Sequence, residues 1–115
     1  MKGQRNMEVQ GKNNSLTITD TKVTVTRKVA PFQPALKKDI LITSITAITF
    51  QPAGLLQPGY IIFSLTGGQE PGSGSIAAAL NDNAVLFNRK QENDFLQAKE
   101  HIEKLISSVN LHRYF

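Results

Sequence analysis

The sequence predicts a mainly β domain with a single α-helix at its C-terminal end. Three observations carry this. Residues 15–26 alternate polar and apolar side chains, the two-residue period of a half-buried strand. Tyr60-Ile61-Ile62-Phe63-Ser64-Leu65 is apolar on both parities, as a central strand covered on both faces requires. From Phe95 to Val109 the apolar residues instead recur at intervals of three and four, the spacing of one helical face.

The elements follow in order. The segment through Gln10 is polar and reads as a loose tail. Lys12-Asn13-Asn14 reads as a turn into the strand Ser15–Thr19. Asp20-Thr21 supplies the next turn, because short polar side chains stabilise tight reversals. Lys22–Thr26 then sets valine on one face against threonine and lysine on the other, completing an antiparallel hairpin. Pro31 and Pro34 remove backbone donors and place a loop at Ala30–Ala35. Short strands follow at Asp39–Ile42 and Ile45–Phe50, the latter rich in β-branched residues. Gln51–Gly59 is a long Pro/Gly turn carrying Leu55 and Leu56, and Tyr60–Leu65 is the central strand.

Gly67–Ser75 reads as a loop, Ile76–Leu80 is ambiguous between strand and helix, and Asn81-Asp82-Asn83 turns into a last strand at Ala84–Phe87. The helix is expected over 90–109. Its apolar face holds Phe95, Ala98, Ile102, Leu105, Ile106 and Val109. Asn88 or Asn93 is its N-cap, and Glu92 and Asp94 complement the dipole of its first turn. A twisted sheet of such strands has two open edges, which barrel-like closure plugged by the helix would remove.

The 115 residues suit one domain, and a hydrophobic fraction of 40% is enough for a core. With no cysteine there is no disulfide, thiolate metal site or cysteine nucleophile, and the composition fits a reducing, cytoplasmic setting. No apolar stretch follows the basic N-terminal residues, so no secretory signal is expected. The uncharged stretch Ile40–Gln69 is broken by Pro52, Gly54, Pro58 and Gly59 and reads as sheet and turns rather than a membrane span. The net charge of +4 is uneven. Residues 1–39 hold eight basic side chains against three acidic, and the remainder five against six.

Chemistry finds little footing. His101 and His112 lie about 16 Å apart along a helix, too far to share a metal. Ser108 and His112 are one turn apart, but no acid is placed to orient the imidazole. Glu100 is spaced to pair with Lys104 on the solvent face. GGQEPGSGS, from Gly67 to Ser75, lacks the lysine of a phosphate loop. No enzyme activity, cofactor or metal is expected. A nucleic-acid groove is disfavoured, because Phe50, Tyr60, Phe63, Phe87 and Phe95 sit on apolar elements, leaving Phe32, Tyr114 and Phe115 as exposed aromatic residues.

Two blocks carry a family resemblance. One is Ile42, Ile45, Ile48 and Phe50, then Pro52-Ala53-Gly54 and Gly59-Tyr60-Ile61-Ile62-Phe63-Ser64. The other is Asn83-Ala84-Val85-Leu86-Phe87, then Arg89-Lys90-Gln91-Glu92-Asn93 and Phe95. Together with the Gly11-Asn14-Leu16 opening, they resemble the bacterial pleckstrin-homology-like domains of unknown function, often joined to a short C-terminal oligomerisation module. The resemblance covers nearly the whole chain, 1–115, as one domain. It implies a barrel of two roughly orthogonal antiparallel sheets capped by the helix, and it implies no activity or site residues.

One surface function is expected, with one alternative to it. The expected function is a protein-interaction or self-assembly module, giving a homo-oligomer, through the surplus apolar residues Leu55, Leu56, Leu96 and Leu111. The alternative is binding of an anionic ligand or membrane surface through the basic hairpin, with Lys22, Arg27, Lys28, Lys37 and Lys38 as contacts.

Overall fold

A computed structural model describes residues 6–67 and 82–112, the side chains of 111 and 112 excepted. Strands β1 (Met7–Gln10), β2 (Asn14–Ile18), β3 (Lys22–Arg27) and β4 (Leu36–Leu41) form one antiparallel sheet in that order. A single 3-10 turn at Ile42–Ser44 leads into a second antiparallel sheet, β5 (Ile45–Gln51), β6 (Gly59–Leu65) and β7 (Ala84–Phe87). The helix α1 (Glu92–His112) follows. The protein is therefore mainly β, with two sheets and one C-terminal helix.

Alternation in the sequence becomes layering in space. The register sets Val9, Leu16 and Val25 in one row and Ile18, Val23 and Ile40 in another. All six are buried, so one face of the first sheet is apolar throughout its centre. Ile61 and Phe63 face the same core from β6, together with Val85 and Phe87 from β7. Tyr60 and Ile62 point the other way and join Ala84 in a second, smaller buried cluster. This is why β6 is apolar on both parities.

Phe95, Ala98 and Ile102 are fully buried on α1, with Leu105, Ile106 and Val109 packed at the margin of the core. Phe87 stacks between Phe50 and Phe95, with ring centroids 5.3 and 4.8 Å away. Such stacking fixes the approach of the helix to the second sheet. The start of α1 is set by Asn88. Its Oδ1 accepts the Gln91 N–H at 3.1 Å while Gln91 Oε1 accepts the Asn88 N–H at 3.0 Å. This is a capping box one residue ahead of the first full turn, and Asn93 lies inside the helix.

Four expectations change. Met7-Glu8-Val9-Gln10, expected within a loose tail, is a strand that pairs with β2 and buries Val9. The strand expected at Asp39–Ile42 occupies Leu36–Leu41, since pairing with β3 from Arg27↔Leu36 to Lys22↔Leu41 holds an edge strand despite Lys37 and Lys38. The helix runs Glu92–His112 rather than 90–109. Finally, the sheets do not close into a barrel. They meet at the 3-10 turn and at a bond from the Lys12 N–H to the Leu86 carbonyl, 2.8 Å, with no ladder between them among the described residues. The loop expected at Gly67–Ser75, beyond Gly67, and the Ile76–Leu80 segment lie outside the described residues.

Candidate functional site

β3 ends at Arg27 and the chain returns as β4 at Leu36, so the intervening loop and both strand ends project together. Ala30-Pro31-Phe32-Gln33 forms its tip as a β-turn, the Gln33 N–H donating to the Ala30 carbonyl at 3.4 Å. Pro31 sets the first corner. Phe32 takes the second with φ +65°, a backbone region that side chains with a Cβ avoid and that turns of this pattern give to glycine. Its relative exposure is 107%, so no packing within the chain compensates the strain. Val29 and Leu36, on either side of the loop, are also exposed.

Cations flank the base of this loop. Lys28 follows β3, its N–H donating to the Asn13 carbonyl at 3.0 Å. Lys37 lies opposite Thr26, and Lys38 opposite Val25 on the other face of the sheet. Arg27 pairs with Asp82 at 3.6 Å. A hollow of about 320 Å³ is bounded by Val25, Arg27, Leu36, Lys37, Lys38 and Asp82, and a second of about 370 Å³ by Asn13, Lys28, Val29, Ala30 and Pro31. Among the described residues no carboxylate lies within ion-pair distance of Lys28, Lys37 or Lys38.

The expected anion contacts therefore divide. Arg27, Lys28, Lys37 and Lys38 gather at the loop end. Lys22 stands at the far end of β3, about 17 Å away at strand rise. There its ammonium meets Asp39 at 3.3 Å. The Thr24 hydroxyl donates to Asp39 at 2.7 Å, and this bond, with that of Lys22, holds the Asp39 carboxyl below its ordinary range. Lys22 serves this local cluster.

The expected protein contacts lie elsewhere. Leu55 and Leu56, 89% and 98% exposed, occupy the β5–β6 loop, and Leu96 is exposed on α1. The Ala53 N–H donates to Glu92 Oε1 at 2.7 Å, which brings that loop beside the first turn of the helix, one turn before Leu96. Leu111 has no described side chain. No protein-family model, curated protein or solved structure matches the chain.

Other chemistry has no assembled site among the described residues. No three metal-ligating side chains come together, and no helix is long and apolar enough to cross a membrane. His101 is half-buried on α1 and Ser108 exposed. The ion pair on the solvent side of the helix is Lys99–Glu103, at 3.1 Å, rather than Glu100–Lys104. Sequence reasoning singled out Phe32 as exposed but missed its backbone conformation and the neighbouring Val29 and Leu36. The one signal was a bulky residue directly after Pro31 in a turn with no glycine.

Proposed function

We propose that this chain is a non-catalytic docking module whose β3–β4 tip settles on an anionic lipid surface. The observation that carries the reading is Phe32, fully exposed at positive φ on a loop whose two ends carry Lys28, Lys37 and Lys38. A strained backbone with no internal compensation is a mark of a functional constraint. An apolar ring at a loop tip, with lysines where the loop joins its strands, matches the layered chemistry of a bilayer, in which acyl chains lie under anionic headgroups. Three lysines contribute roughly 3 kcal/mol at such a surface. Burial of a phenylalanine contributes roughly 2 kcal/mol. The result is weak, reversible binding that salt suppresses. A cytoplasmic location would present the tip to the anionic leaflet.

A pleckstrin-homology-like assignment is in keeping with four strands, three strands and a terminal helix in that order, and belongs to the same proposal.

Vesicle sedimentation tests the reading. The parent is expected to sediment at low salt with vesicles containing phosphatidylserine, and not with pure phosphatidylcholine. Phe32→Gly and a Lys28/Lys37/Lys38 triple glutamine variant are each expected to lose binding, whereas Lys22→Gln retains it. A parent that stays in the supernatant at low salt, or a Phe32→Gly variant that sediments like the parent, rejects the proposal.

A further inference from the structure

The outer edges of two open sheets expose unpaired backbone groups, and proteins guard such edges with charge, proline, short length or cover. Three edges here are guarded. β4 carries Lys37, Lys38 and Asp39. β1 has four residues, includes Glu8 and contacts α1. β7 also has four residues, and its Leu86 carbonyl is taken by Lys12. β5 differs. It runs seven residues, Ile45-Thr46-Ala47-Ile48-Thr49-Phe50-Gln51, with neither charge nor proline, and among the described residues it pairs only with β6.

The direction of its free groups follows from the neighbouring strand. The Phe63 N–H donates to the Asn83 carbonyl at 3.1 Å, so Phe63 turns its peptide groups toward the β7 side. Ile48 lies opposite Phe63, and its own N–H and C=O therefore point away from β6. Phe50, two residues on and opposite Ile61, is oriented alike. No bond from either residue to a loop or to another strand occurs among the described residues.

We infer that β5 pairs with β5 of a second copy, antiparallel about a two-fold axis at Thr49. In that register Ile48 of each chain faces Phe50 of the other, and each such pair exchanges both its N–H···O=C bonds. The two three-stranded sheets become one continuous sheet. A strand that pairs with itself must be electrostatically compatible with its own side chains. β5 meets this condition, since the chain carries no charge from Ile40 to Gln69, whereas a two-fold pairing of β4 centred near its lysines would bring Lys37 and Lys38 of one chain beside those of the other. Thr49 meets Thr49 on the exposed face, a favourable cross-strand pair. Ile48 and Phe50, half-buried in one chain, gain cover on the core side.

Sedimentation equilibrium on the full chain tests the register. The parent is expected to dimerise. Thr49 is exposed, so Thr49→Lys and Thr49→Glu should leave the melting transition of the monomer unchanged. Each sets like charges together at the axis and should weaken the dimer roughly tenfold or more. An equimolar mixture of the two variants sets lysine against glutamate and should restore the dimer. In the parent alone, amide exchange at Ile48 and Phe50 should slow as concentration rises. A parent that is monomeric throughout, a Thr49→Lys variant with the parent's mass, or a mixture that stays monomeric each overturns the inference.

Discussion

The Ala53 amide and the Glu92 carboxylate lie 2.7 Å apart, joining the β5–β6 loop to the first turn of α1 across 39 residues of sequence. The bond joins the two halves of the second sheet's surroundings, because Ala53 follows β5 and Glu92 follows β7. Gln91 Nε2 adds a bond to the Gly11 carbonyl at 3.3 Å, so the same turn of helix also holds the β1–β2 connection. Glu92→Ala removes a charge-assisted acceptor and should cost about 1–2 kcal/mol. Glu92→Gln keeps an acceptor and should cost about half as much. Chemical denaturation of both variants checks the ranking.

Asn88→Ala opens the capping box and should cost about 1 kcal/mol, while Asn93→Ala, an exposed helical position, should change stability by no more than about 0.5 kcal/mol. Thermal melts of the pair distinguish the two asparagines. Equal losses would mean that the helix starts later than Asn88 indicates.

Gly59 opens β6 where backbone and aromatic ring converge. A Cβ built there would lie 2.6 Å from the Gln51 carbonyl oxygen and 2.7 Å from the Ala53 nitrogen, and would also run into the Phe87 ring. Gly59→Ala is therefore expected to cost about 1–3 kcal/mol, most of it strain in the stack around Phe87. Gly54, whose Cβ would meet only open loop, is the control, and Gly54→Ala should melt close to the parent.

Asp39 provides a pH signature. Its carboxyl titrates below the ordinary 3.8 because the charged form accepts from Thr24 and Lys22. The sign follows from linkage: stability from this group is present above the unfolded value and is lost as pH falls through the lowered folded value. Thr24→Val should move the carbon-detected NMR midpoint of Asp39 upward. Any stability gap between parent and variant that this group supplies should narrow in acid. An unchanged midpoint would show that the Thr24 bond does not form in solution.

Phe32→Gly carries a prediction for stability as well as for binding. Glycine adopts φ +65° without strain and loses no packing at a site this exposed. The variant should melt at or above the parent, by at most about 1 kcal/mol, while losing vesicle binding. A clear fall in melting temperature would show that the ring packs within the chain.

The sequence by itself determined the local elements wherever one strong period runs uninterrupted. Leu16, Ile18, Val23 and Val25 alternate, and Phe95, Ala98 and Ile102 recur at helical spacing, because each set must turn to a single apolar side. Met7-Glu8-Val9-Gln10 was not legible as a strand, since four residues hold too little pattern and their order comes from pairing with β2. Lys37 and Lys38 precede the strand expected at Asp39–Ile42, yet they lie in β4 because the β3 backbone supplies their bonds. The separation of Lys22 from Lys28, Lys37 and Lys38 required the register of the hairpin, which sets the ends of β3 far apart. The outward amides of Ile48 were decided by tertiary structure alone. The side of a strand left unpaired depends on which neighbours the chain meets, and composition does not encode it.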